Sequence, residues 1–482
     1  MRAIRLTVIG LFVICIAVAC GGGGGTTTVE PTSTPSSSSS ISPTPSGSVS
    51  PTATPTGSHT PTPTPTPTAT PSTGPTPVPT ITDTIVVFGY NDLGMHCMNE
   101  DFSKIMVLPP YNTMHATVIQ RGPEPSFLMS GITVSYEIPN NTRSDNKTNF
   151  WTYAAAIFGH TVPVNIGLAG NGLTGTMTSL ASSGRNDWSV VGVPITPLDD
   201  NMTENPYQLC KITVRKGLYE KAETQAVMPV SWEISCQLCH GSPGVAPDVD
   251  ILRRHDTMHG TTLENSTPVM CGACHAQAPL GTTGSPSLSH AMHSAHASRM
   301  APVSTLEVSC YACHPGIRTK CMRDVHYSAG KNCLYCHGDM AAVGSTARSP
   351  WVTEPTCGSC HARAGFEYEQ PGVLYRDSKG HNGVHCSACH GSPHAITPTV
   401  VAADNLQAIT IQGYSGAISN CVVCHKGTPG DGFNHTLGEG GGEDKPLNAG
   451  AGSDPIDMLV VLLLLAGVAA SATGMSLGTR RA

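Results

Sequence analysis

Alternating apolar and polar residues are confined to one part of the 482-residue chain, residues 84–233. A period of two is typical of half-buried β-strands, and clusters of Gly, Pro and Asn separate the alternating stretches as turns would. The predicted strands are 84–88, 132–138, 188–192, 212–214 and 227–234. The pattern predicts an antiparallel β-sandwich-like domain of about 150 residues, here called the β domain, which is long enough for one core.

An apolar run near the N-terminus follows basic residues. Residues 6–19 come after Arg2 and Arg5, which predicts a signal peptide over residues 1–19. The small residues at 17–19 fit cleavage by ordinary signal peptidase, whereas Cys20 followed by glycines resembles the lipidation site of bacterial lipoproteins. Both alternatives predict an exported protein, and lipidation would attach its N-terminus to a membrane.

Residues 20–83 are almost wholly Gly, Thr, Pro and Ser. Such a composition cannot bury enough apolar surface to fold, so we expect a disordered linker. Its alternating Pro and Thr residues favour the extended polyproline II helix. The linker would act as a stalk that lifts the following domains from a membrane, or as a passive spacer.

A second apolar run, residues 458–477, precedes Arg480 and Arg481 and follows a Gly-rich acidic stretch at 436–457. At 1.5 Å per residue the run is just long enough to span a bilayer. Residues 458–482 resemble the C-terminal sorting segments of bacterial surface proteins, and a permanent inner-membrane anchor is the alternative. Because an outer-membrane lipoprotein could not also keep a helix in the inner membrane, we expect the tail to be a transient signal.

Residues 234–435, here called the motif segment, repeat a short pattern. The sequence Cys-x-x-Cys-His occurs seven times. The repeats are Cys236/Cys239/His240, Cys271/Cys274/His275, Cys310/Cys313/His314, Cys333/Cys336/His337, Cys357/Cys360/His361, Cys386/Cys389/His390 and Cys421/Cys424/His425. The composition of the chain would give about 0.03 accidental matches, so the repeats are not due to chance.

Each repeat has the signature of c-type haem attachment, in which two thiols bond to the porphyrin and the adjoining His binds iron as the proximal ligand. Paired Cys-x-x-Cys units also bind zinc, but zinc does not require the His that follows all seven pairs. At these motifs the chain resembles the multihaem c-type cytochromes. The resemblance implies seven covalent c haems in a segment of about 200 residues.

The motifs are closely spaced. Successive motif histidines lie 35, 39, 23, 24, 29 and 35 positions apart. About 30 residues per haem are too few to enclose each porphyrin separately. We therefore expect the haems to contact one another and to supply much of the core, with mostly irregular chain and single helical turns around the motifs.

Further histidines could fill the sixth position on each iron. The distal candidates are His255, His259, His290, His293, His296, His326, His381, His394 and His435. His385 directly precedes Cys386 and is the least able to reach its own haem. Multihaem cytochromes commonly carry one His before a motif and another after it, and His381 and His394 resemble that arrangement. An iron bound by two imidazoles has no vacant site, so it can only gain or lose an electron.

Three cysteines outside the motifs are open to several interpretations. In an oxidising compartment Cys97 and Cys210 are expected to form a disulfide that closes the β domain. A blue-copper site is the alternative, because a thiolate, two imidazoles and a thioether are its ligand set. That set would come from Met95, His96, Cys97, Met98, His115 and His160. One of these histidines could instead cap the first haem, and Cys321 could be a free thiol or a partner of Cys97 or Cys210.

The formal charge of the chain is −7, with no basic stripe to suggest nucleic acid. Haem propionates would add negative charge, which suits other cytochromes or redox proteins with basic docking patches, or extracellular metal oxides. We expect an exported electron-transfer protein at the outer membrane or cell surface, with a periplasmic membrane-anchored location as the alternative. Two other functions stay open: a multihaem reductase of a small nitrogen or sulfur oxyanion with one open haem, and a β domain that binds a surface or partner.

Overall fold

Two five-stranded sheets form the N-terminal part of the computed structural model, which describes residues 84–300, 306–361, 368–427, 429 and 435. The predicted signal peptide, both linkers, Cys20 and the C-terminal apolar run lie outside the described residues. The strands are β1 Ile85–Tyr90, β2 His96–Cys97, β3 Ile105–Met106, β4 Met114–Gln120, β5 Ser126–Phe127, β6 Thr133–Glu137, β7 Thr174–Thr176, β8 Thr178–Ser179, β9 Trp188–Val190, β10 Tyr207–Lys216, β11 Glu220–Ser231, β12 Val269–Met270, β13 Lys379–Gly380 and β14 Val384–His385.

The first sheet has the order β1-β4-β9-β8, with β5 paired to β4, and all its pairs are antiparallel. The second has the order β2-β11-β10-β6-β7 and is antiparallel except where the short β2 runs parallel to β11. Buried side chains from both sheets form one core, for example Val87 and Val118 from the first and Ile212 and Met228 from the second. The expected β-rich N-terminal part is confirmed.

The β10–β11 hairpin shows why the alternating pattern predicts strands correctly here. Every second residue of β10 from Gln208 to Val214 is buried, since one face of the strand packs on the core. Ten residue pairs run from Tyr207↔Pro229 to Lys216↔Glu220. Gly217, with φ at +61°, makes the reversal that follows β10.

Several elements of the β domain escaped the prediction: the short strands β2, β3, β5, β7 and β8, the longer strand β4 and helix α1. Strand β4 lies between β1 and β9, and six consecutive residues of it are buried. Helix α1, Phe150–Phe158, packs Phe150 at right angles to Phe102 in the core and ends at the left-handed Gly159. Its aromatic sequence is not a typical helix signal.

The motif segment contains short helices joined by irregular chain. These are α2 Pro247–His259, α3 Leu288–Ala297, α4 Val325–Ser328, α5 Cys333–His337, α6 Met340–Val343, α7 Cys386–His390 and α8 Ala402–Gln412. Among the described residues from 236 to 361, only Leu280 belongs to a cluster of buried apolar side chains. This part of the chain therefore has little apolar core of its own.

The C-terminal part of the motif segment packs directly on the β domain. A small apolar cluster joins Val86 and Phe88 of β1 to Ala388 of α7 and Ile411 of α8. The Gln407 side chain accepts a hydrogen bond from the Gly89 amide and donates one to the Gly89 carbonyl, at 2.7 and 3.0 Å. Helix α8 is therefore fixed on the first sheet by both packing and polar contacts.

The buried carboxylate of Glu233 ties the two regions together at another place. It accepts hydrogen bonds from the backbone amides of residues 316–319 at 2.6–3.2 Å and from the Thr319 hydroxyl at 2.9 Å. Burial alone would raise the pKa of Glu233, but these donors outweigh it and lower the pKa below its ordinary 4.5. The chain after the third motif is thus held by an ionised side chain of the β domain.

Within the described ranges, no helix has both the length and the apolar character needed to cross a bilayer.

We predict that Glu233→Gln lowers the free energy of unfolding by about 2 kcal/mol at neutral pH, because an amide replaces a charged acceptor of several donors. The lowered pKa means that this stabilisation is present above pH 4.5 and is lost as the pH falls through the folded-state pKa. The difference between variant and parent should therefore shrink in acid. Denaturant unfolding of the variant and the parent, at neutral pH and again in acid, measures this difference in stability.

The exposed Glu124 supplies the matched control. Glu124→Gln should change stability by less than about 0.5 kcal/mol. An equal loss in the two variants, or a Glu233→Gln loss that persists in acid, would contradict the proposed role of the carboxylate.

Candidate cofactor sites

All seven Cys-x-x-Cys-His motifs fold as single helical turns, as expected from the sequence. Five are 3₁₀ turns and two are the short helices α5 and α7. In the 3₁₀ turns the amide of the motif His donates to the carbonyl of the first Cys at 2.8–3.1 Å. A helical turn brings positions i, i+3 and i+4 to one side, so the two thiols and the imidazole of a motif can approach the same ligand.

The two cysteines of a motif differ in their exposure. The first cysteine is partly buried in every motif. The second is exposed in five of the seven motifs, at Cys239, Cys274, Cys313, Cys336 and Cys360. A haem bonded to such a pair would therefore have one of its attachment points beside solvent.

The fifth motif places its second cysteine, Cys360, at the surface. Both Cys360 and the adjoining His361 are exposed, and the Ser359 hydroxyl lies 3.9 Å from the Cys360 sulfur. No residue of this fifth motif belongs to a buried apolar cluster of the described chain, so apolar packing does not enclose the thiol. Cys360 therefore lies at the surface, and its thioether bond to haem stays a prediction.

Each motif histidine faces a different histidine from outside the motifs. The pairs, with the distances between ring centres, are His240–His296 at 6.3 Å, His275–His255 at 6.3 Å, His314–His293 at 6.1 Å, His337–His394 at 6.0 Å, His361–His326 at 6.0 Å, His390–His435 at 5.6 Å and His425–His381 at 6.2 Å. Ordinary aromatic neighbours also occur at such separations. A one-to-one match that includes all seven motifs is not explained by ordinary packing.

The separations fit a metal ion between two imidazoles. With metal–nitrogen bonds of about 2.0–2.1 Å, two rings on opposite sides of one ion would have centres about 6.3 Å apart. The observed range is 5.6–6.3 Å. The side chains present therefore fit an iron porphyrin that takes one ligand from each side.

Hydrogen bonds orient many of these rings. In eight of the fourteen paired histidines, Nδ1 is the bonded nitrogen. The partners are Asp250 for His240, the Thr261 hydroxyl for His255, the Pro286 carbonyl for His275, the Ser289 carbonyl for His293, the Met292 carbonyl for His296, Asp324 for His326, the Cys321 sulfur for His394 and the Pro123 carbonyl for His425. A proton on Nδ1 leaves the Nε2 lone pair free, which is how metal-bound histidines are usually held.

The environment also keeps several rings neutral, the form that binds a metal. Burial lowers the pKa of His314 and of His394 to about 4. Burial likewise lowers the pKa of His337 and of His390. These imidazoles are therefore unprotonated at neutral pH.

Two of the non-motif histidines have an unusual backbone. His381 and His394 have φ of +33° and +60°, in the region that side chains with a Cβ rarely adopt. Such strain is retained where surrounding structure requires it, and it is common at ligand sites. Here it accompanies the two rings that face His425 and His337.

Seven of the nine predicted distal candidates thus face a motif histidine, and two do not. The ring of His259 lies 4.7 Å from that of His255, one helical turn along α2. His290 begins α3 and has a buried Nδ1 with no hydrogen-bond partner among the described residues. His385, which directly precedes the sixth motif, is also not part of any of the seven pairs, and its side chain is fully buried.

The disulfide predicted between Cys97 and Cys210 is wrong, because both thiols are free. Cys97 is in register with Ser231 and Cys210 with Ala226, on opposite sides of β11. Five residues of strand correspond to roughly 16 Å, well beyond the ~7 Å limit for bridged Cα atoms. Cys321 is also free, with its sulfur 3.8 Å from His394 Nδ1.

The side chains of the alternative copper site point to other partners. His96 Nε2 lies 3.0 Å from Asp92, His115 Nδ1 lies 3.1 Å from Asp187, and His160 Nδ1 donates to the Phe158 carbonyl. No group of three or more His, Cys, Asp or Glu side chains placed to hold a metal occurs among the described residues. A tetrahedral zinc ribbon or a copper centre needs such a group, whereas a haem iron needs only two protein ligands.

A buried polar cluster around Asp187 fastens the hairpin that carries His381. Asp187 accepts from Arg185 at 2.8 and 3.0 Å, from the Tyr90 hydroxyl at 2.8 Å and from His115. Burial alone would raise the pKa of Asp187, yet these bonds hold it far below its usual range.

Two further polar side chains of the loop that contains Asp187 contact the β13–β14 hairpin or the residues just before it. Arg185 pairs with Asp377, and the Asn186 side chain donates to the Gly383 carbonyl at 3.0 Å. This cluster could not be predicted, because its members are scattered in the chain. The Arg-x-Asp spacing of Arg185 and Asp187 does not identify the cluster either, because the same spacing occurs at the surface at 143–145.

Comparison with known protein families, with curated proteins and with solved structures gives no match to this chain. The assignment of the sites therefore depends on their geometry.

We predict that Asp187→Asn lowers the free energy of unfolding by about 3–5 kcal/mol, because it leaves the buried Arg185 guanidinium without its main counter-ion. Arg143 and Asp145 form the same two hydrogen bonds at the surface, at 2.9 and 2.7 Å, and provide a matched control. Asp145→Asn should cost less than about 1 kcal/mol. Denaturant unfolding compares the two variants, and similar losses would show that burial of the cluster is unimportant.

Proposed function

We propose that the chain is a heptahaem c-type cytochrome that transfers electrons. The observation that carries this proposal is the one-to-one pairing of seven motif histidines with seven other histidines at 5.6–6.3 Å. The motif sequence alone predicts covalent attachment, and the pairing adds a second ligand for each iron. Together they favour seven closely similar sites over one specialised site.

The roles of the side chains follow from their positions. The two cysteines of each motif would hold the porphyrin covalently, and the motif His and the facing His would hold its iron. When bound, each haem supplies a reversible one-electron couple of its iron. The Nδ1 hydrogen bonds hold the rings in the orientation that presents Nε2 to the metal.

The same pairing favours electron transfer over catalysis. A reductase needs one iron with a vacant position, and acid–base groups beside it. Each motif histidine has a facing imidazole in the described residues, so protein ligands are available for both faces at all seven sites. The multihaem reductase is therefore the less supported alternative.

The proposed setting comes from the sequence. The signal peptide leads to export, and the acidic chain suits redox proteins with basic docking patches or extracellular metal oxides. The protein would then carry electrons between the cell envelope and an external or periplasmic partner, attached to a membrane through Cys20 or, as the alternative, through the C-terminal run. The β domain would support the haem array.

We predict that the intact mass of the purified mature protein includes seven haem additions. Cys333→Ser combined with Cys336→Ser removes both thioether bonds of one motif and should reduce the count to six. Cys321→Ser lies outside the motifs and should keep seven. A parent protein without covalent haem, or a loss in the Cys321 variant alone, would contradict the proposal.

We predict that all haems of the oxidised protein are low-spin and that the reduced protein does not bind CO, because imidazoles occupy both faces of every iron. Electron paramagnetic resonance and optical titration with CO measure these properties. One high-spin haem that binds CO would favour the reductase instead.

A further inference from the structure

The seven sites are numbered by motif, from site 1 at Cys236 to site 7 at Cys421. We propose that they do not lie in space in the order of their motifs. The spatial order is 2–1–3–4, followed by 5 and 6 side by side, and then 7. The inference rests on the proposed function, and it concerns which side chains of this chain serve which site.

Helix α3 makes sites 1 and 3 neighbours. His296 faces His240 of site 1, and His293 faces His314 of site 3. Residues three apart on a helix have Cβ atoms about 5–6 Å apart on the same face. One helix therefore serves both sites, although the motif of site 2 lies between their motifs in the sequence.

Helix α2 puts site 2 on the other side of site 1. Its Asp250 bonds His240 of site 1 at 3.1 Å, and its His255 faces His275 of site 2. The thiols of Cys271 and Cys236 are also close enough for one to raise the pKa of the other, after the larger effect of burial. Site 2 is thus next to site 1 and outside the pair formed by sites 1 and 3.

Sites 3 and 4 meet beyond α3. The Cys310 thiol of site 3 lies close enough to the Cys333 thiol of site 4 for Cys333 to lower the pKa of Cys310. The Arg348 side chain donates to the Ser289 hydroxyl at 3.4 Å, and the Ser289 carbonyl accepts from His293 of site 3. Arg348 also acts electrostatically on His337 of site 4.

Site 4 has neighbours on two sides. His394, which faces His337 of site 4, follows His390 of site 6 by four residues. His326 faces His361 of site 5. Only six residues separate His326 from Cys333 of site 4, and the Lys331 amide in this short stretch donates to the His326 carbonyl at 3.0 Å. Site 5 is therefore also next to site 4.

Site 7 closes the row against the β domain. The β13–β14 hairpin carries His381 of site 7 and leads directly into Cys386 of site 6, and the Ile418 amide donates to the Cys389 carbonyl at 2.9 Å. On its other side, His425 bonds the Pro123 carbonyl of the β domain at 3.0 Å. The Cys386 thiol of site 6 is also close enough to Cys357 of site 5 to add to the rise in the pKa of Cys357 that burial causes, so sites 5 and 6 are neighbours. Sites 2 and 7 are therefore the ends of the row.

The pairing on α3 is tested with methionine variants of the full-length, haem-loaded protein. His296→Met and His293→Met should each convert one haem to His–Met ligation, which raises the potential of that haem alone. Proton NMR of the axial methionine methyl and potentiometric titration measure the change. His290→Met, on the same helix but unpaired, should leave seven His–His haems.

Removing one motif at a time identifies the haem that changes. With Cys236→Ser and Cys239→Ser in the same chain, the His296→Met signal should disappear, whereas Cys271→Ser with Cys274→Ser should leave it. The reverse result would place His296 at site 2 and overturn the order. Should these variants fail to fold, electron cryomicroscopy of the parent protein gives the iron positions directly, and an iron of site 2 between those of sites 1 and 3 would refute the inference. A parent without haem would instead refute the proposed function.

Discussion

The small number of buried apolar side chains in the described residues between 236 and 361 constrains everything else in this molecule. Ordering some 120 residues costs on the order of 100–200 kcal/mol of backbone entropy, which a protein normally offsets by burying apolar surface. In the described part of this stretch, Leu280 belongs to a buried apolar cluster and Met270 packs against it, and no other side chain there does either. Large apolar groups held between the facing histidines would supply the missing surface, so under the proposed function cofactor attachment and folding of this stretch are one process.

The β domain has the opposite character, and this explains how the two regions fit together. Its two sheets share a large core of buried apolar side chains, so it can hold its shape while the motif segment is being loaded. Besides the apolar cluster under α7 and α8, it contacts the motif segment through charged groups directed at backbone: Glu233 binds the amides of 316–319, and Arg121 donates to the carbonyls of Val422 and Val423. Such contacts fix the path of the chain without requiring apolar surface from it.

The sequence allows part of this arrangement to be predicted, for identifiable physical reasons. Parts of β10 and β11 are predicted, at 212–214 and 227–234, because β10 is half-buried and alternates, whereas β4, which is buried on both faces, is not predicted. The motifs define seven sites because attachment chemistry is local, but a second imidazole is a tertiary contact. His296 precedes the third motif yet faces the first, and His259 and His290, with equally suitable spacing, face none. Nothing in the local sequence distinguishes them.

Differences among the Nδ1 partners suggest how similar sites can have different properties. A carboxylate accepts the proton of an imidazole more strongly than a carbonyl does, which makes the ring a better donor to iron and favours the ferric state. His240 bonds Asp250, which the Arg254 guanidinium keeps ionised by lowering its pKa to about 2, and His326 bonds Asp324. His275 and His425 bond carbonyls instead. Under the proposed function, the carboxylate partners would lower the potentials of sites 1 and 5 relative to what a carbonyl partner at the same ring would give.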